Sequence, residues 1–111
     1  MVDLTFLKKF TKDDPQKMKR YISLYLNVAP KTFEEMRRNL KDGDWEQLRI
    51  NAHSLKPQAD FMGISILKEA LIQIEEAVKM NHLDGIEQLL NASIALSITS
   101  EHALKEMLNQ I

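Results

Sequence analysis

Residues 44–63 read DWEQLRINAHSLKPQADFMG, and the spacing within them decides the fold. Taken as a helix, the stretch sets Trp45, Leu48, Ala52, Leu55, Ala59 and Met62 on one stripe at steps of three and four, the pattern that buries one helical face against partner helices. His53 is off that stripe. At about 100° per residue it falls on the polar side, with Arg49 one turn before it, Lys56 and Pro57 one turn after, and Asp60 two turns after. A titratable nucleophile therefore stands on the solvent side of a helix patterned for a core.

Working outward towards the N-terminus, Met18, Ile22, Tyr25, Ala29, Phe33, Met36 and Leu40 repeat every three or four residues. Asp14 can cap that helix and Pro15 suits its first position, where a missing N–H is no loss. Pro30 interrupts the pattern without changing its phase, which favours one long helix bent at Pro30 over a break into two. Gly43 ends it at Asp42, and Asp44 with Gln47 three residues later reads as a capping box for the next helix. Leu4, Leu7 and Phe10 predict a short amphipathic helix over residues 3–10, too short to persist alone and so a cap on the end of a bundle.

On the C-terminal side, Ser65 is the expected cap of a helix carrying Leu67, Leu71, Ile74 and Val78 on one face and closing near Asn81. Leu83 is expected to open a last helix reaching almost to Ile111, with Ile86, Leu90, Leu104 and Met107 on its apolar face and Ser93, Ser97 and Ser100 between them, small enough for close helix approach. Long helices joined by short connections define an all-α, antiparallel, up-and-down four-helix bundle with a short N-terminal capping helix. The expectation is a single domain over residues 1–111.

Composition narrows the function. A chain of 111 residues is too short for a kinase together with its nucleotide-binding domain. With no cysteine, a disulfide framework, a thiol nucleophile and a cysteine metal site are excluded. No apolar run approaches the roughly 20 residues that span a bilayer, and MVDLTFLKKF lacks the order of a signal peptide. A cytoplasmic location without membrane insertion is therefore expected. A net charge of −1 argues against nucleic acid as a partner. Residues 1–60 carry about +3 and the remainder about −4, so His53 lies in the half suited to an acidic partner. His82 and His102 lack a Glu three residues before them, and the pattern of di-iron bundles is absent.

AHSLKPQADFMG resembles the phosphoacceptor segment of histidine-containing phosphotransfer (HPt) domains: His, Ser or Thr, Leu, Lys, Gly, two small residues, then a Gly ten positions after the His. His53, Ser54, Leu55, Lys56 and Gly63 match it. Pro57 replaces the usual Gly, and Gln58 a usual small residue. The resemblance implies that His53 is a phosphoryl acceptor and Lys56 holds phosphoryl oxygens. It also implies that the partners are receiver domains of a hybrid sensor histidine kinase and of a response regulator. The domain itself then needs no ATP site, metal or cofactor, because Mg²⁺ belongs to the receiver.

That chemistry fits the residues. Neutral imidazole is a nucleophile near pH 7, and phosphoryl transfer through a loose transition state asks mainly for in-line positioning and charge neutralisation. Lys56 lies on the same helical face as His53, three residues on, and can make charge-assisted hydrogen bonds to a phosphoryl group. Arg49 adds a second positive charge. Asp60 would repel a phosphoryl group, so it is expected to turn away. Ile50, Pro57 and Phe61 gather beside His53 and, with Arg49 and Gly63, form the expected docking face; the competing reading is that Ile50 and Phe61 pack on a neighbouring helix. Pro57 removes the bond to the His53 carbonyl and is expected to tune the site without destroying it. The expected oligomeric state is a monomer. The alternative function is a non-catalytic bundle that binds receivers and carries no phosphate.

Overall fold

The helix-forming patterns above become five helices in the computed structural model, which describes residues 2–111. They are α1 (Thr5–Thr11), α2 (Pro15–Asp42), α3 (Trp45–Phe61), α4 (Ser65–Lys79) and α5 (Ile86–Gln110), with no strand among the described residues. Contacts run between α2 and α3, α3 and α4, α4 and α5, and α5 and α2, which closes a ring of four around one core. The 28 residues of α2 span about 42 Å at 1.5 Å each and account for the 43 Å long axis of the molecule.

Local chemistry sets the helix ends. The Asp14 carboxylate accepts from the backbone N–H of Gln16 at 3.0 Å and of Lys17 at 3.3 Å, and Pro15 takes the first turn. Gly43 turns the chain in the left-handed conformation at φ 67°, and Asp44 accepts from the Gln47 N–H at 3.2 Å. The expected capping box is only half formed. The Gln47 side-chain amide donates forward to Oδ1 of Asn51 at 3.4 Å, and Nδ2 of Asn51 donates to Oδ1 of Asn39 on α2 at 2.8 Å. A polar clamp between α2 and α3 thus uses the group that a capping box would have sent backwards. Pro30 is exposed and α2 runs through it unbroken.

Core stripes follow the expected phase. Met18, Ile22, Tyr25, Ala29, Phe33 and Met36 of α2, Leu48, Ala52, Leu55 and Ala59 of α3, and Leu67, Leu71 and Ile74 of α4 are all buried. Leu40, Trp45, Val78 and Met107 lie half-buried at the margins. On α5, Ser93 and Ser100 return their hydroxyls to the carbonyls of Leu89 and Leu96 at 2.8 Å, while Ser97 donates to Glu101 at 2.9 Å. Bonding of this kind lets small polar side chains sit in a core without an unmet donor.

Two helix boundaries and the placement of one side chain differ from the sequence expectation. Ile64, not Ser65, stands at the cap of α4, and Ser65 is already its first residue, with no side-chain cap bond. The last helix opens at Ile86 and not at Leu83, because Gly85 adopts φ 87° and a right-handed helix cannot run through it. Phe10 does not enter the core. It is exposed, with Phe6 and Phe10 of α1 making ring contacts to Phe61, and Phe10 also to Tyr21. Leu4, Leu7 and Thr11 anchor α1 instead. None of the helices among the described residues is long and apolar enough to cross a membrane.

Candidate functional site

α3 carries its core stripe on one side, so the opposite side is free to present His53. The imidazole side chain is 64% exposed, as its helical phase requires. Beneath it, on the inner edge of α4, lies Glu75, whose side chain is only 4% exposed. Nδ1 of His53 is 2.6 Å from Oε2 of Glu75, and Nζ of Lys56 donates to Oε1 at 2.9 Å. Lys79, one turn further along α4, brings its ammonium to 3.6 Å from Oε2. One carboxylate therefore ties α3 to α4 through both of its oxygens.

Burial alone would push the Glu75 carboxyl up. Hydrogen bonds from Lys56 and His53, and the charges behind them, outweigh burial and hold it at about 2. At neutral pH it is an ionised, acceptor-only group. Nδ1 then carries the hydrogen that bridges the pair, and in the neutral ring the lone pair is on Nε2, the nitrogen away from Glu75. Glu75 thereby holds the ring in place and leaves Nε2 as the nitrogen not engaged by the carboxylate.

The surrounding residues divide into two sides. Towards α4 lie the cations. Lys56 is 26% exposed and engaged by Glu75, so it is a cation held in place and not a free arm. Lys79 is 57% exposed. Arg49 turns back along its own helix to Glu46, with Nε 3.3 Å from Oε2, and that partner raises its already high proton affinity. Asp60 is engaged by Lys68 of α4 at 3.3 Å.

Towards α2 the surface is apolar. Ile50 and Pro57 are exposed, and Phe61 is half-buried in an aromatic cluster with Phe6, Phe10 and Tyr21 at centroid separations of 5.1 to 5.4 Å. Next to them a groove of about 250 Å³ opens between α2 and α3, lined by Tyr21, Leu24, Tyr25, Pro57, Gln58, Phe61 and Met62. It starts one turn beyond His53. Gly63 lies at the end of this face in a structural position: its φ is +71°, its carbonyl accepts the Asp3 N–H at 3.2 Å, and a Cβ there would meet the Asp3 carbonyl oxygen at 1.8 Å. The site therefore gathers His53, Lys56, Ile50, Pro57 and Phe61 around one surface, leaves Arg49 bound to Glu46, and gives Gly63 the task of seating the N-terminal segment.

Glu75 and Lys79 had no part in the sequence reading. A signal existed for Glu75, since it follows Leu71 by four residues and Leu67 by eight, a core position at which a charge must find a partner. No group of three or more His, Asp or Glu side chains among the described residues is placed to hold a metal ion.

A ring of four helices that holds out one histidine, its inner nitrogen bonded to a buried carboxylate and lysines beside it, defines a helical histidine phosphotransfer module. The Hpt domain family matches residues 20–111 of the chain, and the chain belongs to that family, whose members work in phosphorelay phosphotransfer. Among solved structures, histidine-containing phosphotransfer protein B (HptB) from Pseudomonas aeruginosa PAO1 superimposes with a TM-score of 0.92 at 17% identity, covering 99% of this chain and 96% of that one. At that identity the likeness speaks for the fold. No curated protein matches the sequence.

Proposed function

We propose that this chain is a phosphoryl carrier between two receiver domains, taking the group on Nε2 of His53 from the receiver of a hybrid sensor histidine kinase and delivering it to that of a response regulator. In the first half-reaction Nε2 attacks phosphorus, the N–P bond forms, and the acyl phosphate P–O bond breaks with its electrons left on the aspartate. The second half-reaction is the same step reversed onto a new aspartate. The observation that carries the reading is the 2.6 Å contact between Nδ1 and Glu75, because it makes an exposed imidazole a directed nucleophile.

Lys56 and Lys79 supply positive charge beside the incoming phosphoryl group. Mg²⁺ and the acidic pocket come with the receiver, and this domain contributes none of its own. The apolar side, with Ile50, Pro57, Leu24 and the groove between α2 and α3, offers contact area for a receiver surface while the cationic side faces its acidic pocket. We place the chain in the cytoplasm as a monomer. The test is a transfer screen against the phosphorylated receivers of the same cell: label should pass to this chain and on to a regulator. Receiver binding without label at any time, unchanged in His53→Ala, would instead make it a docking bundle.

A further inference from the structure

Glu75 touches the reacting ring but no part of a phosphoryl group, and both its oxygens are already used within the protein. Taking His53 as the acceptor, we infer that Glu75 is a positioning residue that keeps the Nδ1 proton on the phosphorylated ring and so sets how readily that phosphohistidine gives up its phosphate. When Nε2 attacks phosphorus the ring already carries a hydrogen on Nδ1, and the product is a phosphorylated imidazolium. If Nδ1–H stays, the N–P bond later breaks with its electron pair returning to Nε2, and the leaving group is neutral imidazole. If that proton is lost to water, the ring has to leave as an imidazolate anion, a far poorer leaving group.

A free phosphorylated imidazole sheds this proton in the region where ordinary histidine titrates, roughly pH 6.5. An ionised carboxylate 2.6 Å from Nδ1 favours the protonated ring. Lys56 and Arg49 on α3 and Lys79 on α4 are the cations that oppose it, and the first and last are themselves drawn to Glu75 while Arg49 is bound to Glu46. The expected consequence is a phosphohistidine that remains transfer-competent above neutral pH, with no proton moved in either half-reaction.

Glu75→Gln separates charge from shape, since its carbonyl oxygen can still accept from Nδ1–H. The parent, Glu75→Gln, Lys79→Gln and His53→Gln are each phosphorylated with phosphoramidate, the reagent is removed, and loss of phosphohistidine is followed by ³¹P NMR between roughly pH 6 and 9. His53→Gln identifies any signal from His82 and His102. The expected result is a Glu75→Gln profile displaced to lower pH by about one unit, which is about tenfold slower loss at alkaline pH with near-equal loss at acid pH. Lys79→Gln keeps the carboxylate and removes a competing cation, so its profile should move the other way, by less. Superimposable profiles for parent and Glu75→Gln overturn this inference and leave the carrier reading standing. Should Glu75→Gln fail to fold, an unmoved or downward-shifted Lys79→Gln profile does the same. A parent that takes no phosphate at His53 overturns both.

Discussion

His53 on α3 and Glu75 on α4 share a hydrogen bond of 2.6 Å although 22 residues separate them in sequence, and the carboxylate end of that bond is buried while the imidazole end is open to solvent. The pairing makes one side chain serve two tasks. It satisfies a charge that burial would otherwise penalise heavily, and it aims the ring. The same carboxylate holds Lys56, so the imidazole and the Lys56 ammonium are registered to each other through a third residue.

Acid should undo this pairing. The Glu75 carboxyl is depressed from 4.5 to about 2 in the folded protein, so its contribution to stability is fully present above the unfolded-state value and is lost as pH falls from there through about 2. The linkage is worth roughly 3 kcal/mol as an order of magnitude. Urea denaturation of the parent between about pH 6 and 2.5 should show stability falling below pH 4.5, and Glu75→Gln should flatten that fall.

Gly63 and Gly43 share a left-handed backbone but differ in what surrounds them. A Cβ at Gly43 meets nothing within 4 Å, whereas at Gly63 it would meet the Asp3 carbonyl oxygen at 1.8 Å. Gly43→Ala should therefore cost about 1–2 kcal/mol, the conformational penalty alone. Gly63→Ala should cost roughly 3 kcal/mol or more and release the N-terminal segment. Thermal melts give the ranking, and amide exchange should show lost protection in α1 for Gly63→Ala only.

Asn51 is buried two residues from His53, where it donates to Asn39 at 2.8 Å. Asn51→Ala removes the clamp between α2 and α3 and should cost about 1–2 kcal/mol in denaturant. It lies on the inner side of α3, so transfer through His53 should continue at the parent rate.

Pro57 deprives the His53 carbonyl of its helical donor, yet α3 continues through it to Phe61. Pro57→Ala restores that donor and should stabilise the protein by up to about 3 kcal/mol. Pro57→Gly, which recreates the residue usual in the motif, should transfer within about tenfold of the parent, a difference of ~1.4 kcal/mol in the barrier. A parent that fails to transfer while Pro57→Gly succeeds would show that the proline silences the site.

The bundle was legible in the sequence because apolar residues at steps of three and four mark α2 to α5, and caps such as Asp14 and Gly43 act locally on their own neighbours. His53 was legible because its phase, opposite to Leu48, Ala52 and Leu55, is a property of α3 alone. Glu75 was not, because its meaning depends on which face of α4 meets which face of α3. The bond from Lys56 to Glu75 was hidden for the same reason. Phe10 has the right spacing for a core residue, but α1 is seated by Leu4 and Leu7 on the bundle end, which leaves Phe10 to Phe6, Phe61 and Tyr21. Local rules carried α3; packing between helices decided what surrounds its histidine.

The central claim is that Nε2 of His53 receives the phosphoryl group, and mapping the label tests it most directly. The chain is incubated with a phosphorylated receiver, digested under alkaline conditions and sequenced by mass spectrometry beside His53→Gln. The account predicts acid-labile, base-stable phosphate on the peptide containing His53, attached at Nε2, and none in His53→Gln. Label that persists in His53→Gln, or that sits on Nδ1, would contradict it.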